Sequence, residues 1–225
     1  MRESGERLYV QYGCGMSAPG GWRNFDASPT LRFERLPLLG QLYTRNGRRF
    51  PANVEYGDIV RGLPLADDSC DAVYCSHVLE HLALEDFRVA LRNTHRVLKH
   101  DGVFRLVLPD LYQCASSYLA SSAPDAASAF LREACLGQEK RPRSLRDLAV
   151  SLWGNSPHLW MWDYKSIVPE LERAGFVAVR RASFGDSADD MFRRVEDQAR
   201  WDDCLGVECR KAVAPRAPEE SDQLQ

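Results

Sequence analysis

The sequence predicts an α/β protein built on a parallel sheet with helices on both faces. Three observations lead there. Short apolar runs of strand length alternate with one clear helical period between Asp86 and Leu98. The first apolar run opens into a Gly-x-Gly turn at Gly13-Cys14-Gly15. Finally, Gly13, Asp26, Asp58, Ser76 and Asp110 each stand where a predicted strand ends. Parallel sheets bind ligands outside the carboxyl ends of their strands, so residues scattered in sequence converge on one rim.

Composition sets the bounds. The chain has 225 residues, 44% of them hydrophobic, enough for one large domain with a substantial core. A formal net charge of −3 speaks against bulk nucleic-acid binding, though it leaves room for local basic patches. No run approaches the roughly 18 consecutive apolar residues of a membrane span. The opening MRESGERLYV has no apolar secretory core. Seven cysteines, odd in number and without a C-x-x-C pair, indicate neither a disulfide framework nor a zinc ribbon. A cytoplasmic location is therefore expected.

Taken in order, Leu8 to Val10 leads into the glycine turn, and Trp22 to Phe25 is a second strand stopping at Asp26. Glycine lets the backbone approach a nucleotide closely, and a carboxylate ending the next strand can accept hydrogen bonds from ribose hydroxyls. Pro29 to Asn53 has no clean period and five arginines; it is expected as a surface insertion with one short helix. A lid that touches an anionic or carrier-borne substrate is its sharper alternative. Val54 to Tyr56 and Ala72 to Cys75 are the next strands. In the helix from Asp86, Phe87, Ala90, Leu91, Thr94, Val97 and Leu98 share one face, and Gly102 is expected as the left-handed closing residue. Val103 to Leu108 is a central strand.

Leu111 to Ser156 reads as two or three helices broken near Pro124 and Pro142, a small helical cap rather than a second domain. Ser166 is the expected N-cap of a helix through Ala174, closed by Gly175. Phe176 to Ala182 and Leu205 to Cys209 are the last strands, and Asp186, Asp189 and Asp190 between them read as solvated loop charges or helix caps. The domain is thus expected over residues 1–213, with the cap at about 111–156, and 214–225 as a disordered tail.

The ligand class follows from what the glycine turn lacks. Gly13 to Ala18 satisfies G-x-G-x-x-G/A, the dinucleotide pattern. That pattern needs a helix whose first amides hold a pyrophosphate, and Pro19-Gly20-Gly21 prevents one. Asp26 also comes well short of the usual spacing of about 20 residues. A nucleoside without phosphates, such as S-adenosylmethionine, loses nothing by this.

With these pieces in view, the chain resembles the Rossmann-like S-adenosylmethionine-dependent methyltransferases, in particular the small bacterial methyltransferases of the type 11-like group. The resemblance rests on YGCG with GWRNFD (12–26), GDI (57–59), LPLADDSCDAVYCSHVLEHL (63–82), RVLKHDGVFRLVLPDL (96–111) and HLWMWDYKSIVPELERAGF (158–176). It implies a three-layer sheet of seven strands with only the last antiparallel. It also implies that Tyr12, Gly13 and Gly15 pass against the methionine part of the cofactor. Asp26 would take the ribose hydroxyls, Asp58 the adenine amino group and Ile59 the adenine face, with Ser76 near the sulfonium. Gln11 departs from the acidic residue often found before the turn, and Ser17 from the third glycine.

Methyl transfer needs alignment above all, worth about 7–11 kcal/mol of barrier, and a general base adds roughly 10²–10⁴-fold for a hydroxyl acceptor. His77 leaves the fourth strand where the methyl should point; it is either that base or a cap of the local turn. His158, either catalytic or structural, opens a run in which Trp160, Trp162 and Tyr164 alternate, either the wall of an acceptor pocket or a packing edge. His77 to His81 also matches the H-x-x-E-H zinc-peptidase pattern, but it starts at the mouth of a strand, so no metal is expected. The basic run Lys140 to Arg146 lacks aromatic interleaving and reads as a solvated face. The expected activity is transfer to a small-molecule or sugar acceptor, most simply at oxygen, with no nucleic-acid partner. A non-catalytic cofactor-binding module is the alternative, and a dehydrogenase comes third.

Overall fold

The computed structural model describes residues 7–37, 49–137 and 157–213. Part of the insertion, the end of the cap with the Lys140–Arg146 run, and the 214–225 tail lie outside the described residues.

Seven strands form one sheet: β1 (Tyr9–Tyr12), β2 (Trp22–Asp26), β3 (Val54–Tyr56), β4 (Cys70–Ser76), β5 (Leu98–Pro109), β6 (Phe176–Ala182) and β7 (Cys204–Lys211). Their order is β3-β2-β1-β4-β5-β7-β6, and only β7 runs antiparallel to its neighbours. The α-helices among the described residues are α1 (Pro29–Glu34), α2 (Leu84–Val97), α3 (Leu111–Ala120), α4 (Ala126–Glu133) and α5 (Tyr164–Arg173). β1 and β2 pair in parallel although residues 13–21 between them hold no helix. Parallel crossovers usually take a dozen or more residues; here Gln11 braces the shortened one. Its side-chain amide donates to the Ser17 carbonyl at 2.8 Å and to Asn24 Oδ1 at 2.6 Å.

The missing helix leaves its mark on the whole sheet. One face carries Val10, Tyr12, Val73, Cys75, Phe104, Leu106, Leu205 and Val207, and α2 and α5 cover it with Phe87, Leu91, Ile167 and Leu171. Each large side chain buried this way contributes about 1.5–3 kcal/mol. The opposite face presents Tyr9, Trp22, Ala72, Tyr74 and Val107. What packs on it is the 183–203 connection, through Phe192, Val195 and Trp201, in two short 3₁₀ turns at Asp190–Arg194 and Gln198–Arg200. Among the described residues, the cover of that face is thus 3₁₀ helix rather than α-helix. The acidic stretch is likewise more than solvated loop: Asp186 binds Arg105 and Arg180, and Asp189 accepts from Tyr9 Oη at 2.8 Å.

Two boundaries move for local reasons. α2 ends at Val97 and β5 begins at Leu98, so Gly102 closes no helix. The left-handed residue is Asp101 (φ +61°), while a Cβ at Gly102 would come within 2.8 Å of the Lys99 carbonyl. The N-cap of α5 is Asp163, not Ser166. The two form a capping box in which Asp163 accepts from Ser166 N at 2.8 Å and Ser166 Oγ accepts from Asp163 N at 3.2 Å.

Candidate active site

The carboxyl ends of β3, β2, β1 and β4 stand side by side, and the residues expected at the cofactor stand on them. β1 and β4 pair Tyr12 with Cys75, which sets Gly13 beside Ser76. β2 and β3 pair Asp26 with Tyr56, and Gly57 N donates to the Asp26 carbonyl at 3.1 Å. Cys14 N donates to the Phe25 carbonyl at 3.1 Å, which draws the glycine turn over the end of β2.

Gly13 and Gly15 both have positive φ, +64° and +54°. Their missing side chains face different surroundings. A Cβ at Gly13 would fall 2.2 Å from Val78 Cγ2, whereas one at Gly15 meets nothing within 4 Å. Gly13 is thus a packing glycine and Gly15 borders open space. Between them Cys14 packs with Leu31, Phe50 and Val54, and burial pushes its thiol up to about 12, so it behaves as a small hydrophobe.

Asp26 is buried, and its carboxylate is held on both sides. Gly15 N donates to Oδ2 at 2.8 Å and Ser28 N to Oδ1 at 2.7 Å. A carboxylate offers about four lone-pair positions, so one on each oxygen remains for a ligand hydroxyl. Asp58 follows β3, its Oδ1 accepting from Val60 N at 2.9 Å and Arg61 Nε standing 3.5 Å from Oδ2. Ile59 is buried in the main core. Tyr12 sends its ring into the same core, where its hydroxyl meets Thr94 Oγ1 at 3.3 Å, so it has only backbone to offer the rim. Asp110 caps α3 through Tyr112 N at 2.9 Å, with Arg181 3.5 Å away.

At Ser76 the structure adds a residue the sequence did not point to. Arg200, from the connection 124 residues further on, donates Nε to Ser76 Oγ at 2.9 Å and Nη2 to the Ser76 carbonyl at 2.6 Å. Its own carbonyl lies 3.0 Å from His77 Nε2. A carbonyl only accepts, so that nitrogen carries a proton. His77 Nδ1 faces Glu80 Oε1 at 3.4 Å, and Cys204 Sγ is 3.7 Å from Nε2. Burial works against charge on this ring, but Cys204, Glu80 and the Arg200 carbonyl outweigh it and raise its pKa to about 10. So placed, His77 holds its proton rather than accepting one. Its backbone is also left-handed, φ +53°, which ends β4 sharply.

The H-x-x-E-H run therefore forms no regular helix. Leu79–His81 is a single 3₁₀ turn, so His77 and His81 do not share a helix face. His158 comes instead to His81, ring centroids 5.1 Å apart, and burial lowers its pKa. Of the alternating aromatics, Trp162 is buried and stacks on Phe87 at 4.3 Å, Tyr164 donates to the Val179 carbonyl at 3.3 Å, and Trp160 is exposed. Among the described residues no helix is long and apolar enough to cross a membrane.

Comparison with known proteins adds a partial family match. Residues 35–106 match the family model described as a methyltransferase domain. That match begins after the glycine turn and Asp26, and it includes Asp58, Ile59, Ser76 and His77. No curated protein matches the chain. Among solved structures, an S-adenosylmethionine-dependent methyltransferase from Archaeoglobus fulgidus is 16% identical, with a TM-score of 0.47 over 92% of this chain and 87% of that one. PigF with S-adenosylhomocysteine is 17% identical, with a TM-score of 0.46 over 94% of this chain; this chain spans only 58% of PigF. A Haloferax volcanii methyltransferase structure with the activator Trm112 is 16% identical, with a TM-score of 0.47 over 92% and 83% of the two chains. Over residues 35–106 the chain is thus similar to a methyltransferase domain, on a sheet of the order β3-β2-β1-β4-β5-β7-β6.

Proposed function

We propose that this chain transfers a methyl group to an oxygen of a small-molecule or sugar acceptor in the cytoplasm. The observation that carries the reading is the meeting of Gly13, Gly15, Asp26, Asp58 and Ser76 along one edge of four adjacent strands. Open space over Gly15 beside a carboxylate with lone pairs to spare fits an adenosine ligand without phosphates. S-adenosylmethionine, when bound, supplies the electrophilic methyl on a charged sulfur.

The chain's own residues orient. Asp26, fixed by two backbone amides, would receive the ribose hydroxyls without rearrangement, and Asp58 would receive the adenine amino group. Ile59 supports the adenine from the core side, and Tyr12 contributes backbone alone. Ser76 and Arg200 close the edge where the acceptor must approach. We read His77 as a positioning residue: it ties that edge to Arg200 and Glu80.

The same occupied ring favours a second reading, a cofactor-binding module without turnover. Isothermal calorimetry with S-adenosylmethionine and with NAD decides the ligand. Binding of the former alone is expected, and Asp26→Ala should weaken it at least tenfold by removing a charge-assisted contact; no binding, or unchanged affinity in the variant, overturns the assignment. Formation of S-adenosylhomocysteine in the presence of hydroxylated acceptors separates enzyme from module.

A further inference from the structure

Glu80 is the most anomalous charged group among the described residues. It is 1% exposed, yet neither carboxylate oxygen receives a hydrogen bond. His77 Nδ1, on a ring that holds its proton, pairs with Oε1 by charge at 3.4 Å but out of line for a hydrogen bond, and Oε2 has no hydrogen-bond partner. A buried carboxylate with one ion pair and no hydrogen-bond donor is still costly, and a bound metal ion would relieve that cost.

Two imidazoles face the same point. His81 sits at the end of the 3₁₀ turn, and its Nδ1 lies 3.1 Å from the Pro157 carbonyl. That nitrogen must therefore donate, which leaves the lone pair on Nε2, 3.9 Å from Glu80 Oε1. An imidazole fixed by a backbone carbonyl on one nitrogen and free on the other is the usual state of a metal-ligating histidine. His158 arrives from a different part of the chain, and its Nδ1 is buried and unpartnered. The two segments are already joined, since Leu159 N and Trp160 N donate to the Glu80 carbonyl at 2.8 and 3.2 Å. One ligand atom each from Glu80, His81 and His158 lies within 4.8 Å of the others.

We propose that Glu80, His81 and His158 form a site for a divalent first-row transition ion, zinc above all. Zinc–nitrogen and zinc–oxygen bonds of about 2.0–2.2 Å put tetrahedral ligands about 3.3–3.6 Å apart. The observed spacing, within 4.8 Å, is wider than this and must close on binding. Two imidazoles and a carboxylate select zinc, cobalt or iron(II) over magnesium or calcium, which want oxygen. Three protein ligands leave one coordination position for water. His77, which the peptidase pattern would require, is not in the set. The ion would clip the turn after β4 to the segment leading into α5, and it would take up the unpartnered His158 Nδ1 and one of the two unpartnered Glu80 oxygens.

The test uses the full chain, stripped with EDTA and titrated by calorimetry with zinc chloride and with magnesium chloride, and needs no cofactor. One equivalent of zinc should bind and magnesium should not, and cobalt(II) should give visible bands of a four-coordinate nitrogen–oxygen site. His158→Gln and Glu80→Gln should each weaken zinc binding at least tenfold, while Cys135→Ser and Cys204→Ser leave it unchanged. Should Glu80→Gln fail to fold by circular dichroism, His158→Gln and His81→Gln carry the comparison. Absence of stoichiometric zinc binding overturns the proposal. So does binding indifferent to both histidines, or a cobalt–thiolate band in the near ultraviolet.

Discussion

At the scale of single residues, the two glycines of the turn separate stability from binding. Gly13→Ala would place a methyl 2.2 Å from Val78 Cγ2 on a backbone with φ +64°. Left-handed strain and overpacking together should cost about 2–4 kcal/mol. Gly15→Ala carries only the strain of φ +54°, about 1 kcal/mol, because its methyl enters open space. That space is where the cofactor is proposed to lie, so Gly15→Ala should lose at least tenfold in S-adenosylmethionine affinity. Urea melts and calorimetry on both variants check the contrast, and equal stability losses would refute it. The sequence singled out both glycines through the same pattern. It could not distinguish their tasks, because the difference lies in what Val78 does 65 positions away.

At the scale of elements, β5 carries a residue that no strand pattern announces. Arg105 is fully buried in the face covered by the 183–203 connection. Its guanidinium meets Glu196, Asp186 at 2.9 Å and Glu208 at 3.0 Å, and donates to the Ser183 carbonyl at 2.6 Å. The Trp201 ring lies 4.5 Å below it. Arg105→Met would leave Glu196, itself wholly buried, without its cation. Breaking such a pair from one side costs about 3–5 kcal/mol. Adding Glu196→Gln should recover part of that loss, as coupled neighbours do and independent sites do not. Chemical denaturation of the two single variants and the double variant measures the coupling; strict additivity would remove Arg105 as the organiser of this face.

At the scale of the whole molecule, what was legible followed local period and strand-end chemistry. The strands, α2, and the gathering of Gly13, Asp26, Asp58 and Ser76 on one rim could all be read along the chain. The cover of the second face could not, because 3₁₀ turns have no apolar period and their partners are distant, as Arg200 is from Ser76. The Glu80–His158 cluster escaped for the same reason: only folding brings residue 158 to the turn after β4. This two-faced build makes a prediction about acid. On the helical face, Glu170 of α5 accepts from Arg88 of α2 at 2.8 and 2.9 Å and also meets Arg173, which lowers its pKa from 4.5 to about 2. On the other face, burial alone would raise Asp186, but Arg180, the Ser183 amide and Arg105 bring it from 3.8 to about 2. Both carboxylates thus have folded pKa values below their unfolded ones. Their stabilisation is complete above about pH 4.5 and drains away as pH falls toward 2. Because their partners Arg88 and Arg180 are half exposed, each of these two carboxylates should contribute only about 1–2 kcal/mol. Glu170→Gln should therefore be less stable than the parent by about that amount at pH 7. The gap should shrink steadily between pH 4.5 and 2, since the parent's own Glu170 is then protonated and loses the same contact. Urea melts of the two proteins across that range read the gap directly. A gap that stays constant with pH would mean the variant had lost packing rather than charge, and that the helical face is not held by this carboxylate.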